Sequence, residues 1–398
     1  VIKEWLQKQR AKSQLRKAFQ AAGLYVAYKS GDKEMKVFPK VHSVRIGDDQ
    51  TEYVFTLING MDPKEVKKKE YVFQQVFGRN TEVKGDLKKF VLTVHKNGLP
   101  KKVKYRYSEI YPLIKGLLLP IVCGKDRHGK WLVYDAVNNP NCLLFGQPGS
   151  GKSSMLHNIL VTLIQYYTAD ELHLYLGDLK MSEFGIYEGV DHVKSLCFQA
   201  NELGPALEYL KKKELKKRGE LLKKYRVRHI SKVPKSERPP FIVVCVDEFV
   251  MIKDDEIMTN LLQIASLGRA CGIFVILSMQ RPSHTILNTD VRAVLSVRMG
   301  FRTVDLRNAM IGETPGSEKI SLDTPGRFLL RLDDLIELQA PHVTEDIAEK
   351  ILKKYKSDGW KNHSFIVTQV LENKMQGSEE ELDRDKILGV LDGADKAR

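Results

Sequence analysis

Residues 146–153 read Gly-Gln-Pro-Gly-Ser-Gly-Lys-Ser, an instance of the pattern G-x-x-x-x-G-K-[ST]. Glycine has no Cβ, so a loop of this composition can wrap closely enough for its backbone N–H groups to point at a phosphate. A lysine at position 152 can reach the β- and γ-phosphates of a nucleoside triphosphate, and the hydroxyl of Ser153 can ligate Mg²⁺. The apolar run Cys142–Phe145 precedes the loop and a helical stretch, Ser154 to Tyr167, comes after it. That strand–loop–helix setting is the one the motif requires. The expected phosphate cradle is Gly146, Gln147, Pro148, Gly149, Ser150, Gly151, Lys152, Ser153 and Ser154.

A second acidic signal lies downstream. Phe241 to Glu248 reads FIVVCVDE, an apolar strand ending in two acids. Asp247 would hold Mg²⁺ through water, and Glu248 would orient and polarise an attacking water. The plainer alternative is a strand that ends in two solvated acids. Ile273 to Arg281, IFVILSMQR, ends in a polar amide, and Gln280 is the candidate to sense a γ-phosphate. Arg269, Arg281, Arg292, Arg298, Arg302 and Arg307 cluster around and after it. A ring ATPase needs a guanidinium from a neighbouring subunit for transition-state charge, and cations in its pore for phosphodiester groups. Spacing does not divide the arginines between these jobs.

These residues need a scaffold. From Leu117 to about Val343, the apolar runs Cys142–Phe145, Leu172–Leu176, Phe241–Val246, Ile273–Leu277 and Val294–Met299 alternate with longer helical stretches. They are rich in Val, Ile and Leu without clean alternation, as in strands buried on both faces. The pattern predicts a parallel sheet with helices on both sides. Ala206 to Tyr225 has a helical period, with Lys211–Lys213 and Lys216–Arg218 read as its solvated face. Upstream, Val41–Ile46 and Tyr53–Ile58 read as a hairpin about Gly47-Asp48-Asp49-Gln50. Pro63–Phe77 reads as a helix and Phe90–Val94 as a strand, in a region crowded with lysines. The tail holds a helix, Glu345–Tyr355, and an acidic stretch, Glu379–Asp385. The expected fold is α/β, a P-loop motor with a predominantly parallel sheet plus a smaller α/β domain. Its expected divisions are residues 1–118, 119–343 and 344–398.

Composition narrows the partners. Lys and Arg exceed Asp and Glu by 64 − 50 = 14 over 398 residues, which favours a polyanion such as DNA or an anionic membrane surface. No run of about 20 apolar residues spans a bilayer, and no signal peptide is present. Cys123, Cys142, Cys197, Cys245 and Cys271 have no paired spacing, which argues for a reducing compartment without disulfides or a zinc site. The basic segment Lys3–Lys17 fits either a cytoplasmic stretch after a membrane helix or an ordinary solvated helix.

Beyond the P-loop, the order of motifs resembles the FtsK/SpoIIIE family of DNA translocases from Leu119 to about Leu330. LPIVCGKDRHGKWLVYDA (Leu119–Ala136) is similar to the family's lead-in to the P-loop. GDLKMSEFGIYEGVDHV (Gly177–Val193) is similar to its D-P-K-x-x-E-x-x-x-Y-E-G-x-x-H segment, with Leu179 in place of the proline. VRHI, VDEF, GRACGIF and QRP come next in the family's order. The resemblance implies a RecA-like motor working as a hexameric ring around DNA. It also implies Arg269 as a trans-acting finger and Arg281, Arg307 and, less directly, Arg302 as DNA contacts. Residues 344–398 are too short and acidic for a winged-helix module that reads orienting sequences. The better match is a compact branch, the conjugative coupling proteins of Gram-positive mobile elements. That branch implies ATP and Mg²⁺ as cofactors, and a relaxase and membrane channel proteins as partners. It also implies a place at the cytoplasmic face of the membrane, with a membrane anchor missing before Val1 and the chain as given soluble. Two alternatives keep the P-loop but change the role. One is an ATPase of type VII protein secretion; the other is a replication-accessory protein that binds DNA without moving along it.

Overall fold

The computed structural model describes residues 2–30, 33–47, 50–78, 80–96 and 98–362. Asp48 and Asp49 of the expected turn, Asn97 and the acidic stretch Glu379–Asp385 lie outside them. The described residues form two compact units, one of residues up to 99 with 127–130, the other of residues 100–126 with 131–362.

In the first unit, helix α1 (Ile2–Ala21) precedes a hairpin of β1 (Val26–Ser30) and β2 (Lys33–Val37). Strands β3 (Lys40–Ile46), β4 (Gln50–Thr56), β5 (Thr81–Gly85) and β6 (Lys89–His95) form an antiparallel sheet in the order β3-β4-β6-β5. The basic segment Lys3–Lys17 is most of α1, whose far end buries Leu15, Ala18 and Phe19; Phe19 meets Phe55 edge-on at 4.9 Å. The expected helix Pro63–Phe77 is two helices, α2 (Pro63–Lys68) and α3 (Glu70–Phe77), broken at Lys69. Asp62 caps α2 by accepting from Lys64 N–H at 2.9 Å.

The second unit carries β7 (Val103–Lys104), α4 (Tyr107–Ile114), β8 (Pro120–Lys125), β9 (Trp131–Asp135), β10 (Cys142–Phe145) and α5 (Lys152–Tyr166). Next come β11 (Leu172–Asp178), β12 (Val193–Cys197), α6 (Ala200–Tyr209), α7 (Leu215–Tyr225), β13 (Phe241–Asp247), α8 (Asp255–Cys271) and β14 (Ile273–Met279). The last elements are α9 (Thr289–Val294), β15 (Val297–Phe301), α10 (Leu306–Ile311), β16 (Arg327–Arg331), β17 (Leu335–Gln339), β18 (Pro341–His342) and α11 (Glu345–Leu352). One ten-stranded sheet runs β12-β11-β13-β14-β10-β15-β16-β17-β8-β9. The first six strands are parallel, and the last four extend the sheet antiparallel. Every residue of β13 and β14 is buried. Val243 and Cys245 pack in one core with Leu156 and Ile159 of α5, while Val244 and Val246 pack in another with Leu261 and Ile264 of α8. Two-sided burial explains why these runs do not alternate.

Three boundaries differ from the sequence expectation. Residues 100–118 pack with the P-loop unit: Gln165 donates to the Tyr105 hydroxyl at 2.7 Å, and Ile110 and Ile114 bury against Val122. Helix α11 buries Ala348 and Leu352 in the same core as α5, so residues 344–362 also belong to it. The apolar run Val294–Met299 is split, with Val294 ending α9 and β15 starting at Val297.

The stretch Ala206–Tyr225 contains a π turn at Leu210–Glu214 between α6 and α7. A π turn inserts an extra residue and so rotates the next helical turns about the axis. Arg218, read as part of a solvated face, is consequently fully buried. Its Nε donates to Glu214 Oε2 at 2.7 Å and its Nη1 to the Cys271 carbonyl at 2.9 Å. All five cysteines are buried and none is in a disulfide. Among the described residues no helix is long and apolar enough to cross a membrane. Removing one member of a buried ion pair leaves the other uncompensated. Arg218→Ala should therefore destabilise the protein by about 3–5 kcal/mol in urea denaturation, whereas Ala at exposed Lys217 should cost less than about 0.5 kcal/mol.

Candidate active site

The loop 146–151 leaves the end of β10 and turns into α5. Gly149 (φ 77°) and Gly151 (φ 100°) adopt conformations costly for other residues. A Cβ at Gly151 would collide with the backbone of Gly326. The loop is held from three sides: Gly146 N–H donates to Met279 O (3.3 Å), Gln147 N–H to Arg302 O (2.9 Å), and Gly326 N–H to Ser150 O (2.8 Å). The Ser150 hydroxyl is buried at this cradle with no hydrogen-bond partner. Beside the loop is a cavity of about 540 Å³, lined by Gln147–Gly149 and Gly151–Ser154, by Lys180, Glu183, Asp247 and Gln280, and by Lys101, Lys102, Pro325, Gly326 and His342.

Lys152, Asp247 and Ser278 form a closed triangle. Lys152 Nζ lies 2.6 Å from Asp247 Oδ1 and 2.8 Å from Ser278 Oγ, and Ser278 donates to the same carboxylate oxygen. Both charges are more than nine-tenths buried, an arrangement tolerable only because they are paired. The sheet order produces the triangle, since β13 and β14 are neighbours and β10 lies on the other side of β14. Glu248 comes next, in a left-handed conformation (φ 51°, ψ 49°). Its carboxylate accepts from Lys180 Nζ at 2.8 Å and from Gln280 N–H at 3.3 Å.

Lys180 arrives on a loop folded by Asp178, which stands opposite Asp247 in the β11–β13 register. Asp178 accepts from the N–H groups of Ser182 (3.1 Å), Glu183 (2.8 Å) and Phe184 (2.8 Å). That turn also brings Glu183 Oε1 to 2.6 Å from the hydroxyl of Ser153, which donates to it. Burial raises the Glu183 pKa above the usual carboxylate range, and the Ser153 hydrogen bond partly opposes the rise. Burial lowers His157 to about 4, so it is neutral at pH 7, and its Nδ1 pairs with the Tyr187 hydroxyl at 3.0 Å. Sequence alone does not single out Lys180, Glu183 or Ser278 as site residues. The first two lie within the Gly177–Val193 segment, where only their order in a longer pattern is legible.

The donors suit magnesium. The Ser153 hydroxyl and the Asp247 carboxylate are hard oxygens on the cavity wall. Among the described residues no three His, Cys, Asp or Glu side chains gather as a protein-only metal cage. Magnesium is commonly held by one or two carboxylates together with substrate phosphates. When bound, it would neutralise charge on the β- and γ-phosphates.

The arginines separate. Arg269 is exposed at the end of α8, where it donates to Val137 O (3.1 Å) and Asn138 O (3.3 Å). Arg281 and Arg307 are exposed, after β14 and on α10. Arg302 lies half-buried beside the P-loop, lining a small cleft with Gln147–Ser150, and its Nε is buried without a partner. Arg292 and Arg298 brace the backbone near α9, and Arg298 is buried 3.7 Å from Glu313.

A P-loop at the end of a buried parallel strand, with a paired lysine and acid across it, defines a P-loop ATPase domain. Residues 116–237 match the FtsK/SpoIIIE family model. The DNA translocase FtsK of Corynebacterium efficiens is 31% identical over 230 residues, which are 52% of this chain and 24% of that protein. The DNA translocase FtsK of Rickettsia bellii is 28% identical over 295 residues, 63% of this chain and 39% of that one. The chain thus spans well under two thirds of these curated relatives. Among solved structures, the conjugation coupling protein TcpA of pCW3, in monomer form with ATPγS, superposes with a TM-score of 0.59 at 23% identity. The match covers 86% of this chain and 99% of that one. ATPases 2 and 3 of EssC from Geobacillus thermodenitrificans superpose at 0.56 and 20% identity, over 65% and 51%. These likenesses show the shared α/β fold expected from sequence.

Substitution should separate the two acid–lysine pairs by function. Lys152→Ala should lower nucleotide affinity by about 30-fold or more. Glu248→Gln should bind nucleotide at least as well as the parent and lose about 10²–10⁴-fold in turnover. Fluorescent-nucleotide titration and phosphate release check both, and a Glu248→Gln protein with full turnover would contradict the assignment.

Proposed function

We propose that this chain is an ATP-driven DNA translocase that works as a homo-hexameric ring and serves as a conjugation coupling protein, delivering DNA to a membrane transfer channel. In this reading Lys152 holds the β- and γ-phosphates, Ser153 and Asp247 hold Mg²⁺, and Gln280 senses the γ-phosphate. Glu248 accepts the proton of the attacking water while the γ-phosphoryl group leaves ADP. One observation carries the ring: among the described residues the cavity is lined by lysines and a histidine but by no arginine, Arg302 lining the small cleft beside it instead. Transition-state charge on a phosphoryl group is commonly stabilised by a guanidinium. Arg269, exposed and outside its own cavity, is suited to serve a neighbour's site.

DNA as cargo is supported by the excess of 14 basic charges, by the exposed Arg281 and Arg307, and by the names of the relatives. Arg281 and Arg307 come after strands whose ends lie on the P-loop edge of the sheet. A motor must grip every sequence it crosses, so these arginines contact phosphates rather than bases; Arg302, beside the P-loop, is a further candidate. The role brings the chain to the cytoplasmic face of the membrane, with a relaxase and channel proteins as partners.

Mixing subunits tests the ring. Arg269→Ala and Lys152→Ala proteins should each lose about 10³–10⁵-fold in turnover. Co-assembled, they should regain activity, because a P-loop from the first then meets a finger from the second. Co-assembly without any recovery would remove Arg269 as the trans-acting finger.

A further inference from the structure

Asp247 ends β13 and Glu248 follows it, and each is bonded to a lysine that lines the nucleotide cavity: Asp247 to Lys152 at 2.6 Å, and Glu248 to Lys180 at 2.8 Å. The first lysine belongs to the P-loop. The second stands on the Asp178-pinned loop. The exposure of the second pair is lopsided. The Lys180 side chain is 33% exposed and lines the cavity, whereas Glu248 is 7% exposed and is not among the lining residues. A water in the cavity therefore meets the ammonium before it meets the carboxylate.

Asp178 fixes the backbone of the loop through three N–H groups, yet the Lys180 side chain is a flexible four-carbon stem carrying a compact charge. Its ammonium can thus change partners while the loop stays in place. A terminal phosphate carries about 1.5–2 negative charges, and it competes with a single carboxylate for that ammonium. A diphosphate ends one phosphate short.

We propose that Lys180 discriminates triphosphate from diphosphate, its ammonium passing from Glu248 to the γ-phosphate and thereby uncovering Glu248 for water. This rests on the ATP-hydrolysing reading of the site. The exchange itself makes and breaks no covalent bond. In the subsequent hydrolysis, the water oxygen bonds to the γ-phosphorus. The bond from that phosphorus to the β–γ bridging oxygen breaks, its electrons leave with ADP, and the water proton passes to Glu248.

The test is a binding cycle with two probes, ADP and the non-hydrolysable AMP-PNP, each with magnesium. It uses the parent, Lys180→Met, Glu248→Gln and the double variant. Lys180→Met should weaken AMP-PNP binding by about tenfold and leave ADP affinity within about twofold, and Lys180→Arg should restore most of the preference. Glu248→Gln, which releases Lys180 from a charged partner, should tighten AMP-PNP binding several-fold, and that gain should vanish in the double variant. Equal effects of Lys180→Met on both probes, no effect on either, or a gain that survives in the double variant would overturn the proposal. Phosphate release by the parent separates the two levels. A parent that hydrolyses ATP with an unchanged preference in Lys180→Met removes the role of Lys180 alone. A parent that neither binds AMP-PNP nor hydrolyses ATP removes the ATPase reading, and the proposal with it.

Discussion

The end of β13 is the constraint on which the site depends. Six consecutive buried residues, Phe241–Val246, lead directly to two carboxylates, and a carboxylate at the edge of a core cannot stand without a cationic or hydrogen-bonding partner. Each partner comes from a different neighbour. The P-loop after β10 brings Lys152, β14 brings Ser278 and the Gln280 N–H, and the loop after β11 brings Lys180. A parallel sheet places all of these strand ends on one edge, so its topology collects the charges and the charges in turn fix the loops.

The second constraint is backbone proximity. Gly151 lies against Gly326, and the Gly326 N–H donates to Ser150 O, so the turn before β16 braces the phosphate loop. That turn is tied to the antiparallel strands by Ala340 N–H donating to Gly326 O. The antiparallel extension of the sheet is therefore structural support for the P-loop. Lys101 and Lys102 stand on the wall of the same cavity. This gives a physical reason for their segment to pack with the P-loop unit.

The features legible in the sequence are those that depend on local pattern. The run CLLF-GQPGSGKS and the run FIVVCVDE each announce a strand, a turn and a charge, and the structure brings Lys152 and Asp247 into contact across 95 positions. Arg218 is not legible, because a π turn changes the helical period that reading depends on. Neither is the segment 100–118, whose packing rests on single contacts such as Tyr105 with Gln165. Lys180 and Glu183 are visible as members of a longer pattern, but their partners Glu248 and Ser153 are distant in sequence. Only the turn made by Asp178 shows that one loop serves both. Ser278 sits inside an apolar strand, where a lone serine gives no signal of its own.

ATP turnover measured with and without linear duplex DNA, at fixed magnesium and low salt, tests the coupling of this site to DNA most directly. If the chain is a DNA-driven motor, duplex DNA raises turnover by about tenfold or more, a barrier change of roughly 1.4 kcal/mol. That stimulation saturates with DNA concentration and fades as salt rises and the phosphate contacts weaken. Turnover that is the same with and without duplex DNA, in a protein that binds and hydrolyses ATP, would contradict it.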